Sequence, residues 1–330
     1  MEKIKKFFRK RCGKVYGILQ RQYSKLRDRR FQEKRKSYGK KNPNQIFYVI
    51  RNKDYKTGLM SYYNSVLGHI LYAKEHGYSP VIDMCHYRNT YLDKKDMGHE
   101  NSWEYYFCQP GNVKLEEVYQ SKNVILSTGS ASALASPRVL YEEYYKIPQK
   151  AEELFTIIGK EIPLKKETLE MIEQQYQEIF PENGRVLGIV CRGTDLLNFK
   201  RHSRQPSVKE LIAIAEEKMK AWDCPYLFLA SDTDAAVEEF RACLGERVLT
   251  NECQRYDHWK ERSGDSDSLG DVRFLRERDA YLRGMEYLTT LVLLSRCSCL
   301  AGTLIGSTVG AIGFNGGKYE EIEIIDWGMY

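Results

Sequence analysis

The amino-acid sequence predicts an α/β fold in two halves, each built on a parallel β-sheet. Short apolar runs that end in polar turns alternate with helical patterns along most of the chain, which is typical of βαβ units. The chain has 330 residues, and domains of about 150 residues are usual, so two domains are expected. Apolar content of 42% and charged content of 29% are ordinary for a globular protein, so the alternation is the informative signal.

Residues 1–45 form a basic leader. Residues 1–41 contain 17 Lys or Arg and 3 Asp or Glu, a local balance of +14, while the whole chain is +6, so residues 42–330 carry −8. Apolar residues with near-helical spacing occur in it at Ile4, Phe7, Phe8, Cys12, Val15, Leu19 and Leu26. A basic amphipathic helix is typical of an element drawn to an anionic membrane surface. A solvated basic tail and a nucleic-acid arm are the alternatives, and the acidic body argues against nucleic acid as a partner.

Localisation is predicted from three further features. The leader lacks a continuous apolar core and a small-residue cleavage site, so no secretory signal is expected. No apolar run approaches the roughly 18 residues of a transmembrane helix. The nine cysteines contain no C-x-x-C pair, which predicts reduced thiols and neither a zinc ribbon nor a dithiol site. We therefore expect a cytoplasmic protein, with contact to the inner membrane face through residues 1–41 as a hypothesis.

Residues 46–160 are predicted to form an N-terminal Rossmann-like domain. The strand Ile46–Ile50, a loop with one glycine, the helical pattern "YYNSVLGHILYAKEHGY" and the strand "SPVIDMC" make a βαβ unit. Tyr62, Tyr63 and Asn64 stand at the start of that helix. We expect them to face the crevice between the domains, where they are candidates to contact a sugar or an acceptor.

Residues 161–330 are predicted to form a C-terminal Rossmann-like domain on the donor side. Its strands include "RVLGIVC", "PYLFLAS" and "SCLAGT", and polar segments follow them at Arg192–Asp195, Ser231–Asp234 and Thr303–Thr308. In open parallel sheets ligands bind beyond the carboxyl ends of the strands. The three polar segments should therefore meet at one crevice.

The residue types in these segments favour a diphosphate ligand. Arg192 offers a forked cation that suits phosphate oxygens, although an ion pair with Asp195 or Asp232 is the structural alternative. Ser307 and Thr308 open a helix whose backbone N–H groups can meet an anion. The sequence has no P-loop, no G-x-G-x-x-G motif after the first strand and no H-E-x-x-H motif. A nucleotide diphosphate held without a metal ion is the ligand that these residues favour.

Three stretches together resemble a known family. "GIVCRGTDLL", "YLFLASDTDAAVEEF" and "LRGMEYLTTLVLLSRCSCLAGTLIGSTVGAIGFN" are similar to the C-terminal half of fucosyltransferase-like glycosyltransferases, specifically the α-1,6 and protein O-fucosyltransferase superfamily and its bacterial polysaccharide-synthesis relatives. The resemblance covers residues 46–330 and is strongest from about residue 185. It implies a GT-B fold, with two Rossmann-like domains facing each other across a cleft. It also implies an inverting, metal-independent transferase with GDP-fucose as the usual donor. The expected acceptor is a hydroxyl of a glycan, and the +14 charge of the leader adds the hypothesis of a lipid-linked glycan at the inner membrane face.

The resemblance also assigns roles to individual residues. Arg192 falls on the arginine that meets the donor phosphate, and Thr194 and Asp195 fall on the small polar and acidic positions that follow it. The other implied donor contacts are Ser231 and Asp232 in the second motif, Glu286 or Thr290 near the acidic position that reads guanine, and Ser307 or Thr308 at the β-phosphate.

The base and the acceptor side remain open at the sequence level. Asp195 is the first candidate base, and an acidic residue of the N-terminal half is the second. A structural carboxylate that holds the loop is the alternative role for Asp195. His202 lies in a basic loop that is either solvated or in contact with donor or acceptor. The family often has a second Arg and a nearby His where this chain has Gly193 and Val190. Those departures favour the competing hypothesis of a non-catalytic nucleotide-sugar-binding protein or a degenerate transferase that serves as an assembly partner.

Overall fold

The computed structural model describes residues 28–194, 202–263 and 269–330, and within them the strands form two sheets. The N-terminal sheet has the order β1-β4-β2-β3, in which β2 runs parallel to both β3 and β4 and β1 runs antiparallel to β4. Its strands are β1 (Lys34–Lys36), β2 (Lys41–Ile50), β3 (Ser79–Ile82) and β4 (Ser121–Leu126).

The C-terminal sheet is parallel at every pairing, with the order β7-β6-β5-β8-β9. Its strands are β5 (Val186–Cys191), β6 (Tyr226–Ser231), β7 (Val248–Leu249), β8 (Cys299–Thr303) and β9 (Glu321–Ile325). The strand order changes direction between β5 and β8, and such a switch point is where doubly wound sheets bind ligands. The predicted α/β fold with parallel sheets is confirmed.

Seven longer helices are described, and we number them in chain order. They are α1 (Leu59–Glu75), α2 (Pro148–Lys160), α3 (Lys166–Ile179), α4 (Val208–Ala221), α5 (Asp234–Leu244), α6 (Asp279–Ser295) and α7 (Gly306–Asn315). Short helical segments lie at Ser102–Tyr105, Pro110–Asn112, Leu115–Val118, Ala133–Ala135, Pro137–Leu140, Tyr141–Tyr145, Gly245–Arg247, Trp259–Ser263 and Leu269–Asp271. None of the helices in the described ranges is long and apolar enough to span a membrane.

One continuous hydrophobic core joins the two halves. It contains buried side chains of α1, α6 and α7, together with residues of both sheets; examples are Leu67, Ile70, Leu288, Leu291, Val309 and Ile312. The predicted boundary at residue 160 falls in the connection between α2 and α3. Packed helices therefore join the two halves, and both halves also contribute residues to the cavity described below.

The end of the basic leader belongs to the N-terminal sheet. β1 pairs with β4, and β2 begins at Lys41 rather than at the predicted Ile46, with a register shift between these two residues. Strands pair through their backbone N–H and C=O groups, so a strand at the edge of a sheet can have basic side chains. Such a strand is not revealed by an apolar pattern in the sequence. The predicted amphipathic helix falls largely on residues 1–27, which lie outside the described residues.

Gly284 of α6 marks a tight contact in this core. A Cβ atom added there would overlap the Tyr106 hydroxyl oxygen, and Tyr106 is fully buried, with its hydroxyl donating to the Tyr281 carbonyl at 2.8 Å. We expect Gly284→Ala to lower the free energy of unfolding by about 3 kcal/mol, because the buried ring must move. Urea unfolding measures this.

Gly159→Ala is the matched control for that substitution. Gly159 also lies in a helix, but a Cβ atom added there would meet nothing within 4 Å, and alanine favours helix by about 0.5–1 kcal/mol. Equal unfolding free energies for the two variants would contradict the packing described for Gly284.

Candidate functional site

A cavity of about 400 Å³ lies at the switch point of the C-terminal sheet. Both halves of the chain contribute to its wall. The N-terminal half contributes Lys56, Gly58, Leu59, Met60, Ser61, Thr90 and Tyr91, and the segments after β5, β6 and β8 contribute Arg192, Ser231, Asp232, Ile305, Gly306 and Ser307. The volume falls in the range of about 300–1,000 Å³ that is usual for small-molecule sites.

Asp232 holds the segment that follows β5. Its Oδ2 lies 3.1 Å from Arg192 Nε, its Oδ1 accepts the Gly193 N–H at 2.8 Å, and the Thr194 hydroxyl donates to it. The Arg192 and Asp232 side chains are 19% and 8% exposed, and both reach the cavity wall. The ion pair considered from the sequence is therefore present, and it leaves Arg192 at the cavity.

Two predicted donor contacts point elsewhere. Thr194 is buried, and its hydroxyl is directed to Asp232. Thr308 is fully buried, with its Oγ1 only 3.0 Å from a Cβ added at Gly302, whereas Ser307 lines the cavity.

Two helix N-termini meet at this cavity. The first turn of α1 and the first turn of α7 both line it, and neither turn contains an acidic residue. Neither N-cap residue caps its helix with its own side chain, although the Tyr91 hydroxyl accepts the Leu59 N–H at the start of α1. A Cβ at Gly306 would lie 3.6 Å from Met60 Cβ, so the two helix starts are adjacent. Helix N-termini carry partial positive charge and free N–H groups, so together they form a cradle for an anion.

Lys56 and Arg283 are cavity residues that the sequence reasoning missed. Arg283 is 6% exposed and donates to the carbonyl oxygens of Leu269, at 3.1 Å, and Val272. Lys56 forms an ion pair with Asp271, 215 positions away in the chain. The sequence around Lys56 contains no local pattern that predicts its ion pair with Asp271. Arg283 does have a local signal, since it interrupts the apolar pattern of α6 and stands four residues after Asp279, with which it pairs.

Three tyrosines complete the wall: Tyr91 is buried, and Tyr256 and Tyr287 are partly buried. The Tyr91 hydroxyl accepts the Leu59 N–H at 2.7 Å, and the Tyr256 N–H donates to the Asp232 carbonyl at 2.8 Å. Burial raises the pKa of Tyr256 and of Tyr287, and the nearby arginines offset this only in part. Their phenols are therefore neutral near pH 7 and can donate hydrogen bonds to an anionic ligand.

Glu286 and Thr290 both line the cavity from α6. Arg276 binds Glu286 through both guanidinium branches, with Nη2 3.0 Å from Oε2. The Thr290 hydroxyl lies 2.9 Å from the Glu286 carbonyl oxygen and 3.1 Å from Asn251 Oδ1. A carboxylate in such a pair keeps further lone pairs for a ligand.

The predicted residues of the N-terminal half are not in this cavity. Tyr63 packs in the core, with ring centroids 5.0 Å from Phe107 and 5.4 Å from Phe314, so the expectation that it faces a crevice is wrong. Asn64 is also buried, and Tyr62 borders a separate recess. The rings of Trp103, Phe107 and Phe314 cover Tyr63, so this face of α1 packs in the core.

His202 and Asp195 are the last two site residues predicted from the sequence. His202 lines the cavity and is exposed, and its carbonyl accepts the Tyr330 N–H at 3.2 Å. Asp195, the candidate base, lies outside the described residues. Among the described residues no group of three or more His, Cys, Asp or Glu side chains is arranged to hold a metal ion.

Comparison with known proteins finds solved structures only. No protein-family model matches the sequence, and no curated protein matches it. The chain is similar to NodZ α-1,6-fucosyltransferase soaked with GDP-fucose, with 16% identity over 83% of this chain and 92% of that one and a TM-score of 0.45. Fucosyltransferase NodZ from Bradyrhizobium is 15% identical over 82% and 92%, with a TM-score of 0.46.

POFUT1 in its apo form is a third similar structure. It is 9% identical over 87% of this chain and 99% of that chain, with a TM-score of 0.48. The resemblance predicted from the sequence motifs was to the superfamily of these fucosyltransferases.

Proposed function

We propose that this protein is an inverting glycosyltransferase that moves a sugar from a nucleotide diphosphate to a hydroxyl of a glycan. The observation that carries the proposal is the convergence of Arg192 and the first turns of α1 and α7 on one cavity of about 400 Å³. Such an arrangement suits a diphosphate, because it combines a forked cation with free backbone N–H groups. GDP-fucose is the expected donor, and synthesis of a cell-surface polysaccharide is the expected role.

The chemistry is departure of a diphosphate from an anomeric carbon. As that C–O bond breaks, negative charge grows on the leaving oxygen, and Arg192 and the N–H groups of Gly306 and Ser307 are placed to stabilise it. Asp232 already holds the Arg192 guanidinium, so little rearrangement is needed during the reaction. These groups supply the positive charge, and we therefore propose transfer without a metal ion.

The acceptor hydroxyl attacks the opposite face of the sugar and loses its proton. We propose Asp195 as the base, since it stands three residues after Arg192, and Arg192 lines the cavity. The base can be weak, because a nucleoside diphosphate is a good leaving group. The nucleobase is proposed to lie against Glu286 and Thr290, where a carboxylate can accept hydrogen bonds from the N–H edge of guanine.

The basic leader is proposed to bring the enzyme to the inner membrane face. Its local charge of +14 would attract anionic lipid, and a lipid-linked glycan would be available there as acceptor.

Calorimetric titration with GDP, GMP and UDP tests the donor proposal. We expect GDP to bind at least about tenfold more tightly than GMP, because one charge-assisted phosphate contact is worth about 1.5 kcal/mol or more. We also expect GDP to bind more tightly than UDP, and turnover of GDP-fucose to persist in EDTA.

Three results would count against parts of this proposal. Failure of all three nucleotides to bind would refute a nucleotide-diphosphate site. Preference for UDP would refute the guanine assignment. Tight binding of GDP-fucose with no transfer and no hydrolysis would favour the competing hypothesis of a non-catalytic sugar-nucleotide-binding protein.

A further inference from the structure

Four charged side chains form a connected group beside the donor cavity, around the first turns of α6. Arg276 and Arg283 are its cations, and Asp279 and Glu286 are its carboxylates. Of these four, Arg283 and Glu286 line the cavity, whereas Arg276 and Asp279 do not. The donor site described above therefore gives Arg276 no direct contact with a ligand, and its role has to be sought in what it binds.

Arg276 is fixed between the two carboxylates. Its two terminal nitrogens bind the two oxygens of Glu286, with Nη2 3.0 Å from Oε2. Its Nε donates to Asp279 Oδ1 at 2.8 Å. Asp279 is itself held, since its Oδ2 accepts the Phe274 N–H at 3.3 Å and lies 3.5 Å from Arg283 Nη2. A guanidinium that binds both oxygens of a carboxylate fixes its plane as well as its position.

Glu286 keeps acceptor capacity for a ligand. Each of its oxygens receives one hydrogen bond from Arg276, and each oxygen of a carboxylate has two lone pairs. The Glu286 side chain is 23% exposed and lines the cavity, so it is not sealed in the core. An ionised carboxylate can only accept hydrogen bonds, so the edge of a ligand that faces it must donate them.

The ion pair also makes an acidic side chain compatible with an anionic ligand. An unpaired carboxylate in the wall would repel a diphosphate. The group of four is neutral overall, with two cations and two carboxylates. Hydrogen bonding to Glu286 is the main cause that raises the pKa of Arg276 above its usual range, so the guanidinium stays charged.

A carboxylate in a fixed position discriminates between nucleobases. Guanine presents two adjacent donors, N1–H and the 2-amino group, which match two adjacent acceptors. Adenine and cytosine present an amino group beside a ring nitrogen that accepts, and uracil places a carbonyl on each side of its N–H. Those acceptors would face the negative charge of the carboxylate. A carboxylate that is free to turn would lose part of this discrimination.

We propose that Arg276 is a positioning residue for nucleobase selection: it holds the Glu286 carboxylate in the cavity wall, where both oxygens accept hydrogen bonds from the N1–H and 2-amino groups of guanine. Arg276 itself touches neither the nucleotide nor the sugar. The inference rests on the proposed donor site, and it assigns to that site a residue that selects the base from behind its direct contact.

Calorimetry with GDP and inosine diphosphate tests this inference, because the second nucleotide lacks only the 2-amino group. We expect the wild type to bind GDP about tenfold more tightly, since a hydrogen bond to a charged group is worth at least that factor. In Arg276→Gln the ratio should fall to about threefold or less, because Glu286 is no longer held. Arg276→Lys should give an intermediate ratio, because an ammonium group still binds one oxygen. Glu286→Gln should give a ratio of about one.

Arg296→Gln is the matched control. The Arg296 side chain is 28% exposed and that of Arg276 is 22% exposed. Arg296 also binds a carboxylate, Glu173, at 2.6 Å, and it lies over the Tyr176 ring as Arg276 lies over Phe274. It does not line the cavity and contacts no residue that the proposal uses, so this variant should keep the wild-type ratio. Urea unfolding of each variant shows whether it is folded.

Four outcomes would overturn the inference. Equal weakening of both nucleotides in Arg276→Gln, with the ratio unchanged, would show a structural role only. If Arg276→Gln fails to fold, wild-type ratios in Arg276→Lys and Glu286→Gln would have the same meaning. A wild-type ratio near one, with GDP bound, would overturn the inference and leave the donor site standing. Absence of GDP binding to the wild type would overturn the donor proposal and this inference together.

Discussion

Arg192→Ala is expected to lower kcat/KM for the donor by about 100- to 1,000-fold. Loss of one donor to a developing negative charge costs about 2.7–4 kcal/mol in comparable sites. Arg192 reaches the cavity beside the first turn of α7 and is the described arginine at the end of β5, so no group on that strand replaces it. Arg192→Lys should recover only part of the loss, because an ammonium group lacks the fork that binds two oxygens.

Steady-state kinetics with GDP-fucose and calorimetry with GDP and GMP measure this effect. We expect the GDP affinity to fall toward that of GMP, since the β-phosphate contact is the one removed. Arg296→Ala is a suitable control, because Arg296 also binds a carboxylate, Glu173, at 2.6 Å, and does not line the cavity. Unchanged GDP binding in Arg192→Ala would contradict the assignment of the cavity to a diphosphate.

Asp232→Ala is expected to damage both stability and donor binding. The substitution leaves Arg192 without this carboxylate and removes the acceptor of the Gly193 N–H and the Thr194 hydroxyl. Removing one partner of a largely buried ion pair costs about 3–5 kcal/mol. We therefore expect a loss of about 3 kcal/mol in the free energy of unfolding, and a GDP affinity no better than that of Arg192→Ala. Asp232→Asn should be intermediate, because its amide oxygen still accepts one of these hydrogen bonds.

Asp234→Asn separates this role from a general effect of charge. Asp234 stands two residues later, is exposed, and pairs with Arg255 at 3.1 Å. Asp234 itself is exposed, and Arg255 keeps its hydrogen bonds to the Thr250 hydroxyl and the Asn251 carbonyl, so this variant should unfold and bind GDP almost as wild type does. Urea unfolding and GDP calorimetry on all three variants make the comparison. If Asp232→Ala matched Asp234→Asn in both measurements, the role given to Asp232 as anchor of the Arg192 segment would be wrong.

Strand-end residues were predictable because of a general property of parallel sheets. Arg192, Ser231, Asp232 and Ser307 follow three different strands, and the carboxyl ends of parallel strands lie at one edge. The order of apolar and polar runs was sufficient to place them together. The capping box at the start of α4 is a signal of the same local kind, since Ser207 and Glu210 stand three residues apart and each side chain binds the other's backbone N–H.

The direction in which an individual side chain points was less predictable. Thr308 directly follows Ser307, and Thr194 stands two residues after Arg192; both of those residues line the cavity, yet the two threonines do not. Their direction depends on where Asp232 and Gly302 come to lie, and those neighbours are distant in sequence. Tyr63 was misassigned for the same reason, since the rings that cover it come from elsewhere in the chain.

The sequence by itself determined the α/β class, the parallel strands and the polar segments at their ends, because these depend on periodicity and on contacts between near neighbours. Only the tertiary structure decided that the starts of α1 and α7 meet, that Lys56 and Arg283 join the cavity, and that Tyr62 borders a recess while Tyr63 does not. Those facts depend on how helices from two halves of the chain rotate and pack, and packing between residues up to 215 positions apart leaves no local pattern to read.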